Sequence, residues 1–324
     1  MCSQRVFGAR HLSPGQASLV AIGNFDGVHR GHQAVLTQAV ELAREAGLVP
    51  RVLTFDPHPA VALGRGVLPA LTSLERKLEL LCRRSPVLEV VVEPFTLELA
   101  KTEPADFTRR LLVDALGAKL VLVGENFRFG RGRAGDFAKL AELGLEQGFR
   151  AHATALECDA VGPISSTRVR AALEQGELEA VEALLGRPHS LSGVVVQGQG
   201  RGRSIGVPTA NLSGFSEALP PHGVYAVLVD QKRAGSFTAL RAGVANFGVR
   251  PTLGAGPSFE VHLFDTELNL YGQELRVHLL GRLREERKFS GIDELVAQIA
   301  RDIAAARELT GRRLPDPSAL PAWY

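Results

Sequence analysis

The sequence predicts an α/β protein in two parts: a parallel sheet flanked by helices, then a small β-barrel closed by one packed helix. Three observations predict it. Strand-like and helix-like segments alternate through the first half, strand patterns then follow one another without helices between them, and a single amphipathic helix ends the run. With 324 residues, 45% of them apolar, the chain can bury a full core in each part.

In the first part the apolar run 18–22 (SLVAI) reads as a buried strand that ends at Gly23-Asn24-Phe25-Asp26-Gly27. A helix follows from Arg30 to Ala46, since Val35, Leu36, Ala39, Val40 and Ala43 recur at helical spacing and Gly47 is a stop signal. Next come a strand at 51–55, a helix at 73–83, a strand at 88–92 and a helix at 104–116. The strand 119–124 runs into a glycine-rich loop, and a helix at 136–147 follows it. A sheet of this kind holds its ligand at the carboxyl ends of its strands.

The second part reads as strands at 191–196, 223–230, 237–245, 258–264 and 274–282, with Gly, Pro and Asn between them. The closing helix, 292–309, carries Ile292, Leu295, Ile299 and Ile303 on one face. Gly186-Arg187-Pro188 marks the junction, because proline disfavours continuing the helix before it. The domains are therefore expected at 1–186 and 187–312, with a proline-rich tail at 313–324.

A net charge of +2, with Lys and Arg interspersed among Asp and Glu, leaves no basic stripe for nucleic acid. No apolar run approaches the roughly 18 residues of a membrane span, and the first residues lack the apolar core of a signal peptide. The expected location is cytoplasmic, without a membrane partner. Cys2, Cys82 and Cys158 lie far apart without metal or Cys-x-x-Cys spacing, which predicts a reducing compartment and no disulfide framework.

His29 and His32 stand three apart at a strand-to-helix turn, so their rings can share one face beside the free N–H groups of the helix start. There they can stabilise charge on a transferring phosphoryl group. Gly23, Phe25, Asp26 and Gly31 frame this expected nucleotide site, with Gly31 leaving room for a phosphate. The plain alternative is a histidine that only caps the helix; the glycine framing and the pairing favour the anion site. Ser165-Ser166-Thr167-Arg168 reads either as ordinary N-caps or as a polyphosphate clamp. Its place in the same domain favours the clamp. The loop from Gly124 through Asn126 to Gly135 is either a mobile surface loop or a ligand contact, and its position after a strand favours contact.

In the second part, residues 193–212 (GVVVQGQGRGRSIGVPTANL) read either as a flexible loop or as a phosphate cradle without the Gly-Lys-Ser/Thr of a Walker loop, in which Gly198, Gly200 and Arg203 are the expected nucleotide contacts. Thr209 and Asn211, two apart in an extended segment, point oxygens the same way, which suits Mg²⁺ already carrying ATP phosphates. Turn chemistry after Pro208 is the alternative. Glu260 shares a strand face with His262 and is a candidate for taking a hydroxyl proton. Phe289, near Arg287, either stacks on an aromatic ligand or plugs the barrel end.

The N-terminal pieces, with Phe55-Asp56-Pro57-His58-Pro59, Leu71-Thr72, Lys77 and Glu93-Pro94-Phe95, resemble the nucleotidyltransferase half of bacterial bifunctional riboflavin kinase/FAD synthetases. Gly-x-Pro-Thr-Ala-Asn, Gly223-Val224-Tyr225-Ala226, Gly243-Val244-Ala245-Asn246, Arg250-Pro251-Thr252 and Glu260 ahead of Leu270-Tyr271-Gly272 resemble the riboflavin kinase module. Together the likenesses cover nearly the whole chain to about residue 312. They imply a Rossmann-like FMN adenylyltransferase domain followed by a barrel riboflavin kinase, acting on riboflavin, FMN and ATP.

The resemblance further implies Glu260 as general base and Thr209 and Asn211 at Mg²⁺–nucleotide. His29, His32 and Arg168 would stabilise adenylyl transfer, and Asn126, Arg287 and Phe289 would contact flavin. Position 126 is Asn where many relatives carry Asp, which suits orienting a substrate and removes a carboxylate metal ligand there. Two rivals stand: cytidylyl transfer to another acceptor, against which the barrel likeness argues, and a non-catalytic flavin- or nucleotide-binding regulator, against which His29, His32 and Glu260 argue.

Overall fold

The computed structural model describes residues 4–11, 15–64, 69–198, 202, 205–233, 236–249, 257–266 and 268–314. Gly200, Arg203, Arg250-Pro251-Thr252 and nearly all of the expected tail lie outside the described residues. By internal packing the chain divides into two compact units, Met1–Ser166 and Thr167–Tyr324.

The first unit runs β1 (Gln4–Phe7), β2 (Ser18–Ile22), α1 (Arg30–Ala46), β3 (Val49–Asp56), α2 (Pro59–Ala62), α3 (Leu74–Arg84) and β4 (Glu89–Pro94). It continues with α4 (Leu97–Ala100), α5 (Pro104–Phe107) extended by a wider helical stretch (Thr108–Ala115), β5 (Ala118–Gly124), α6 (Phe137–Gln147) and β6 (Arg150–Thr154). A short hairpin of β7 (Cys158–Asp159) and β8 (Gly162–Pro163) follows.

Six parallel strands form the sheet in the order β1-β4-β3-β2-β5-β6. Alternate residues explain why every strand at its centre is apolar on both faces. Val20 and Ile22 of β2 join a cluster with Leu53, Val121, Leu112 and Leu140, while Leu19 and Ala21 join one with Leu36, Ala39, Leu78 and Leu122. The chain winds outward from β2 through β3 to β4, then returns to set β5 on the other side of β2. Adjacent strands from which the chain leaves in opposite directions leave a crevice beyond their carboxyl ends. The turn after Ile22 and the loop after Gly124 both start there.

The pattern reading missed the edge strands β1 and β6, because an edge strand needs no continuous apolar run. Cys82, on the buried face of α3, is disulfide-bonded, contrary to the expectation of no disulfides.

In the second unit α7 (Ser166–Gln175) and α8 (Leu178–Leu185) precede β9 (His189–Val196), β10 (Ala210–Ser213), β11 (Gly223–Arg233), β12 (Ser236–Val249), β13 (Pro257–Leu263), β14 (Glu274–Arg284) and α9 (Ile292–Arg313). The strands close an antiparallel barrel, β10-β13-β12-β11-β14-β9. Pattern reading gave five strands; the sixth, β10, spans only four residues from Ala210 at the end of the Pro-Thr-Ala-Asn segment and bridges β9 to β13.

Ala226, Leu228, Ala242, Val244 and Leu280 pack outward with α9 residues Ile303, Ala306 and Leu309. Strand alternation therefore sends Tyr225, Val227, Ala245, Phe259 and Val261 into the lumen, where all are buried. The expected face of α9 holds in part: Ile303 packs on the barrel and Leu295 and Ile299 are half-buried. Ile292 is 62% exposed, and the buried positions are Asp302, Ala306 and Thr310. The helix meets the barrel only after its first turns, so the apolar period at its start has nothing to pack on. α8 lies on β9 and β14 and buries Leu178, Val181, Leu184 and Leu185. Gly186 ends α8 in the left-handed conformation, and Arg187 beyond it is buried, its guanidinium donating to the Leu185 carbonyl.

Candidate active sites

Beyond β2 the chain makes a turn that costs backbone energy. Phe25 and Val28 take φ of 49° and 40°, a region that disfavours side chains by roughly 1–2 kcal/mol each. Burial offsets it, since both side chains are only 1% exposed. Hydrogen bonds from distant segments then fix the turn. Leu71 N–H donates to Asp26 Oδ1 (2.9 Å), Gly27 N–H to Thr72 Oγ1 (3.3 Å), Thr54 Oγ1 to the Asn24 carbonyl (3.1 Å), and Ser166 Oγ to the Asp26 carbonyl (2.9 Å). The Lys77 ammonium reaches the carbonyls of Asn24 (3.4 Å) and Phe55 (3.2 Å). Burial holds its pKa below the usual lysine range, against the opposing pull of Asp26 and Asp56.

On this platform α1 begins. His29 is its N-cap, with Nδ1 accepting the His32 N–H at 3.3 Å, so the ring proton sits on Nε2. The two imidazoles stack, centroids 3.6 Å apart and planes 19° from parallel, and the Phe25 ring meets His32 edge-on at 5.1 Å. His29 thus caps the helix and also shares a ring face with His32. Gly31 makes the arrangement possible: a Cβ there would lie 3.2 Å from His29 Nδ1 and 3.4 Å from the Ile164 carbonyl. The glycine thus lies against the His29 ring and the Ile164 carbonyl. Gly23 likewise abuts the Phe25 ring, at 3.1 Å from an added Cβ.

Ser166 is thereby joined to the histidine turn within the first unit, beside Ser165. Thr167 and Arg168 stand in the first turn of α7, which packs as part of the second unit.

The loop after β5 is pinned at several points. Phe129 and Gly135 exchange backbone hydrogen bonds (3.0 and 2.9 Å), and Phe129 stacks on Phe127 (5.5 Å). Gly130 packs on Pro104, and Arg131 pairs with Glu103 (2.7 Å). Asn126 is exposed at the start of this loop, its Oδ1 turned toward Gly124.

In the barrel, strand register assembles a row across the outer face. Arg284, Val224, Asn246, Glu260, Asn211 and Val196 are successive partners on β14, β11, β12, β13, β10 and β9. Side chains directly opposite one another on neighbouring strands point the same way, so Asn211 and Asn246 flank Glu260. Thr209 Oγ1 donates to Glu260 Oε2 (3.2 Å) and Ser258 Oγ to Oε1 (3.1 Å). His262 Nδ1 lies 2.8 Å from the Pro208 carbonyl and holds the entry to Thr209.

The glycines bring the preceding segment down onto this pair. A Cβ at Gly198 would overlap the Asn211 amide, and one at Gly202 would overlap the Val207 carbonyl and lie 3.3 Å from Thr209 Oγ1. A cavity of about 630 Å³ opens beside Thr209, lined also by Val195, Ala210, Val261, Leu263, Leu270 and Tyr271. Asn246, Ser258 and Gly202 were missed as site residues. Ser258 was legible, being two residues from Glu260 on the same strand face, whereas Asn246 needs the register of three strands.

The Thr209–Asn211 oxygens fit a hard cation that brings phosphate ligands of its own. Both donors are neutral oxygens, the Thr209 proton points at Glu260 and leaves its lone pairs free, and the neighbouring Gly198 and Gly202 carry no Cβ to crowd the pair. Among the described residues no cluster of three or more His, Cys, Asp or Glu could hold a metal unaided.

Arg287 and Phe289 lie together after β14. The Arg287 guanidinium sits 4.8 Å from the Phe289 ring centre and Arg284 lies 5.6 Å from it. The Glu286 carboxylate rests against the Gly248 backbone, opposite Ser258 in register, which sets this segment beside the Glu260 row.

Two family models match the chain, FAD synthetase over residues 13–168 and riboflavin kinase over 185–310. The bifunctional riboflavin kinase/FMN adenylyltransferase of Escherichia coli is 42% identical over 312 residues, covering 95% of this chain and 98% of that protein. Its Bacillus subtilis counterpart is 36% identical, covering 88% and 90%. A crystal structure described as a macrolide-efflux protein from Streptococcus pneumoniae superimposes with a TM-score of 0.82 at 29% identity, over 94% of this chain and 98% of that one. No helix among the described residues is long and apolar enough to cross a membrane.

Proposed function

The chain belongs to the bifunctional riboflavin kinase/FMN adenylyltransferase family, and on that premise we propose that the Glu260 row performs the kinase step and the His29–His32 turn the adenylyl step. The enzyme phosphorylates riboflavin to FMN with one ATP and adenylylates FMN to FAD with a second, releasing pyrophosphate.

The observation that carries the kinase assignment is the carboxylate of Glu260 fixed between Thr209 and Ser258. Glu260 takes the proton of the ribityl 5′-hydroxyl as that oxygen attacks the γ-phosphorus. The bond to the β–γ bridging oxygen breaks, and ADP leaves. Thr209 and Asn211 would hold Mg²⁺, which when bound would offset charge on the phosphates. The cavity beside Thr209 is large enough for a nucleoside, and Gly198, Gly200 and Arg203 belong with the phosphates. Arg287 and Phe289 hold the flavin ring by stacking.

In the adenylyl step a phosphate oxygen of FMN attacks the α-phosphorus, and the bond to the β-phosphate oxygen breaks. No proton need move. The α1 N-terminus and the His29 and His32 rings offset the charge that builds on the α-phosphate, with Gly23, Phe25, Asp26, Gly31, Ser165, Ser166 and Thr167 framing the triphosphate. Asp26 does so indirectly, by anchoring the turn to Leu71. Arg168 is assigned from sequence alone, as is Asn126 at the flavin. We assign the adenylyl chemistry to 1–186, the kinase to 187–312 and the tail to 313–324. The location is cytoplasmic, where ATP is supplied.

The test is direct. Incubation with riboflavin, ATP and Mg²⁺ should give FMN and then FAD by chromatography, and incubation with FMN should give FAD alone. Failure of the second with success of the first would overturn the assignment to the first unit.

A further inference from the structure

On the barrel face of α9 one buried position is charged. Asp302 is 6% exposed, and its carboxylate accepts from the Arg284 Nε (3.1 and 3.0 Å) and Nη2 (2.8 Å) in a bidentate fork and from the Gln298 amide (2.7 Å). Arg284 is the β14 member of the row that carries Asn246, Glu260 and Asn211. From Gln298 the network returns: its side-chain oxygen accepts from Arg287 at 2.8 Å, and Arg287 and Arg284 both lie against the Phe289 ring. Arg284, Asp302, Gln298, Arg287 and Phe289 therefore form a closed circuit between α9, the end of β14 and the aromatic ring.

A bidentate arginine–carboxylate pair fixes orientation as well as distance, and a partly buried guanidinium deprived of it turns to whatever acceptor is near. We propose that Asp302 is a positioning residue for the kinase step, which sets Phe289 and Arg287 against the planar aromatic ring of the flavin and so governs riboflavin affinity rather than phosphoryl transfer. The inference rests on the reading of Phe289 as a flavin contact. It separates Asp302 from Glu260: one places the acceptor's ring, the other takes the acceptor's proton.

The test uses the full-length enzyme, with steady-state kinetics for riboflavin and ATP and FAD formation from added FMN as an internal control. Asp302→Asn keeps the shape and loses the charge. It should raise KM for riboflavin about 10-fold or more, as expected for a displaced positioning contact. The kcat, the KM for ATP and the FMN reaction should stay near wild type. In a Phe289→Leu background Asp302→Asn should raise KM by clearly less than in the wild type, because one of the two groups through which it acts is gone. Arg284→Lys, which keeps charge without the fork, should give an intermediate KM and serves if Asp302→Asn melts the barrel.

A folded Asp302→Asn enzyme with unchanged KM for riboflavin overturns the proposal. So does a KM effect that adds fully to that of Phe289→Leu. Phe289→Leu with unchanged riboflavin KM overturns the flavin-contact reading, and the proposal with it.

Discussion

The two units place their reactive groups by opposite means. In the first, the groups stand on a turn beyond a strand end, and strained backbone at Phe25 and Val28 is held by Leu71 and Thr72 from the loop before α3 and by Lys77 from α3 itself. In the second, the groups stand in the strands, and ladder register alone sets Asn211, Glu260 and Asn246 in line. A ladder position keeps its face unless its whole strand slips. A turn position can change shape by itself. Chemistry and folding should therefore separate cleanly in the barrel and be entangled in the turn.

The largest expected effect tests the clean side of that contrast. Glu260→Gln should lower riboflavin phosphorylation by about 10²–10⁴-fold, the usual cost of a lost general base, with unfolding and FMN adenylylation unaltered. Both rates are read from the same preparation by chromatography. Near-normal phosphorylation would remove Glu260 from the reaction.

On the entangled side, His29→Ala removes a helix cap together with an imidazole. His29→Asn restores a capping oxygen, so His29→Asn with His32→Ala isolates the chemistry. The pair should let FMN accumulate from riboflavin while FAD formation falls by about 10²–10³-fold, as for a lost charge-stabilising donor. Unchanged FAD output would make the stacked rings structural.

Where the barrel unit begins can be settled with two fragments. One starting at Thr167 keeps α8 on β9 and β14, while one starting at Arg187 loses the burial of Leu178, Val181, Leu184 and Leu185. At about 1.5–3 kcal/mol per buried side chain, the shorter fragment should be several kcal/mol less stable by urea titration, though both carry every proposed kinase group. Equal midpoints would show that α8 contributes nothing to the barrel and that the junction at Gly186-Arg187-Pro188 is the true start.

The smallest effect concerns pH. Burial pushes His189 down to about 4, its Nε2 donating to the Ala218 carbonyl at 2.9 Å. Between pH 6.5 and 4 the unfolded chain binds this proton and the folded barrel does not, so stability falls as pH falls through that window, by up to about 3 kcal/mol. His189→Gln keeps a donor for Ala218 and should flatten the slope in denaturant midpoints taken at pH 7, 5.5 and 4. A variant with the wild-type slope would place the acid sensitivity elsewhere.

Local pattern was enough for the histidine turn, because a buried strand, a glycine-framed turn and an amphipathic helix each leave a period in the residues that form them. It was enough, too, for Thr209, Asn211 and Glu260, whose oxygens and two-residue spacings are visible one strand at a time. It was not enough for β10, too short to show a period, nor for Asp302, which sits among the solvated charges of α9 and reads as one of them.

Sequence by itself determined two α/β and β patterns, their order, and the residue types available for phosphoryl chemistry, since these depend on contacts a few residues apart. Tertiary structure alone decided which strands neighbour one another. That choice put the two N-terminal loops at one crevice, lined Asn246 up with Glu260, turned Asp26 onto Leu71 and buried Asp302 against Arg284. Each of these joins segments many residues apart, and such pairings are fixed by how the two cores close, which no local period records.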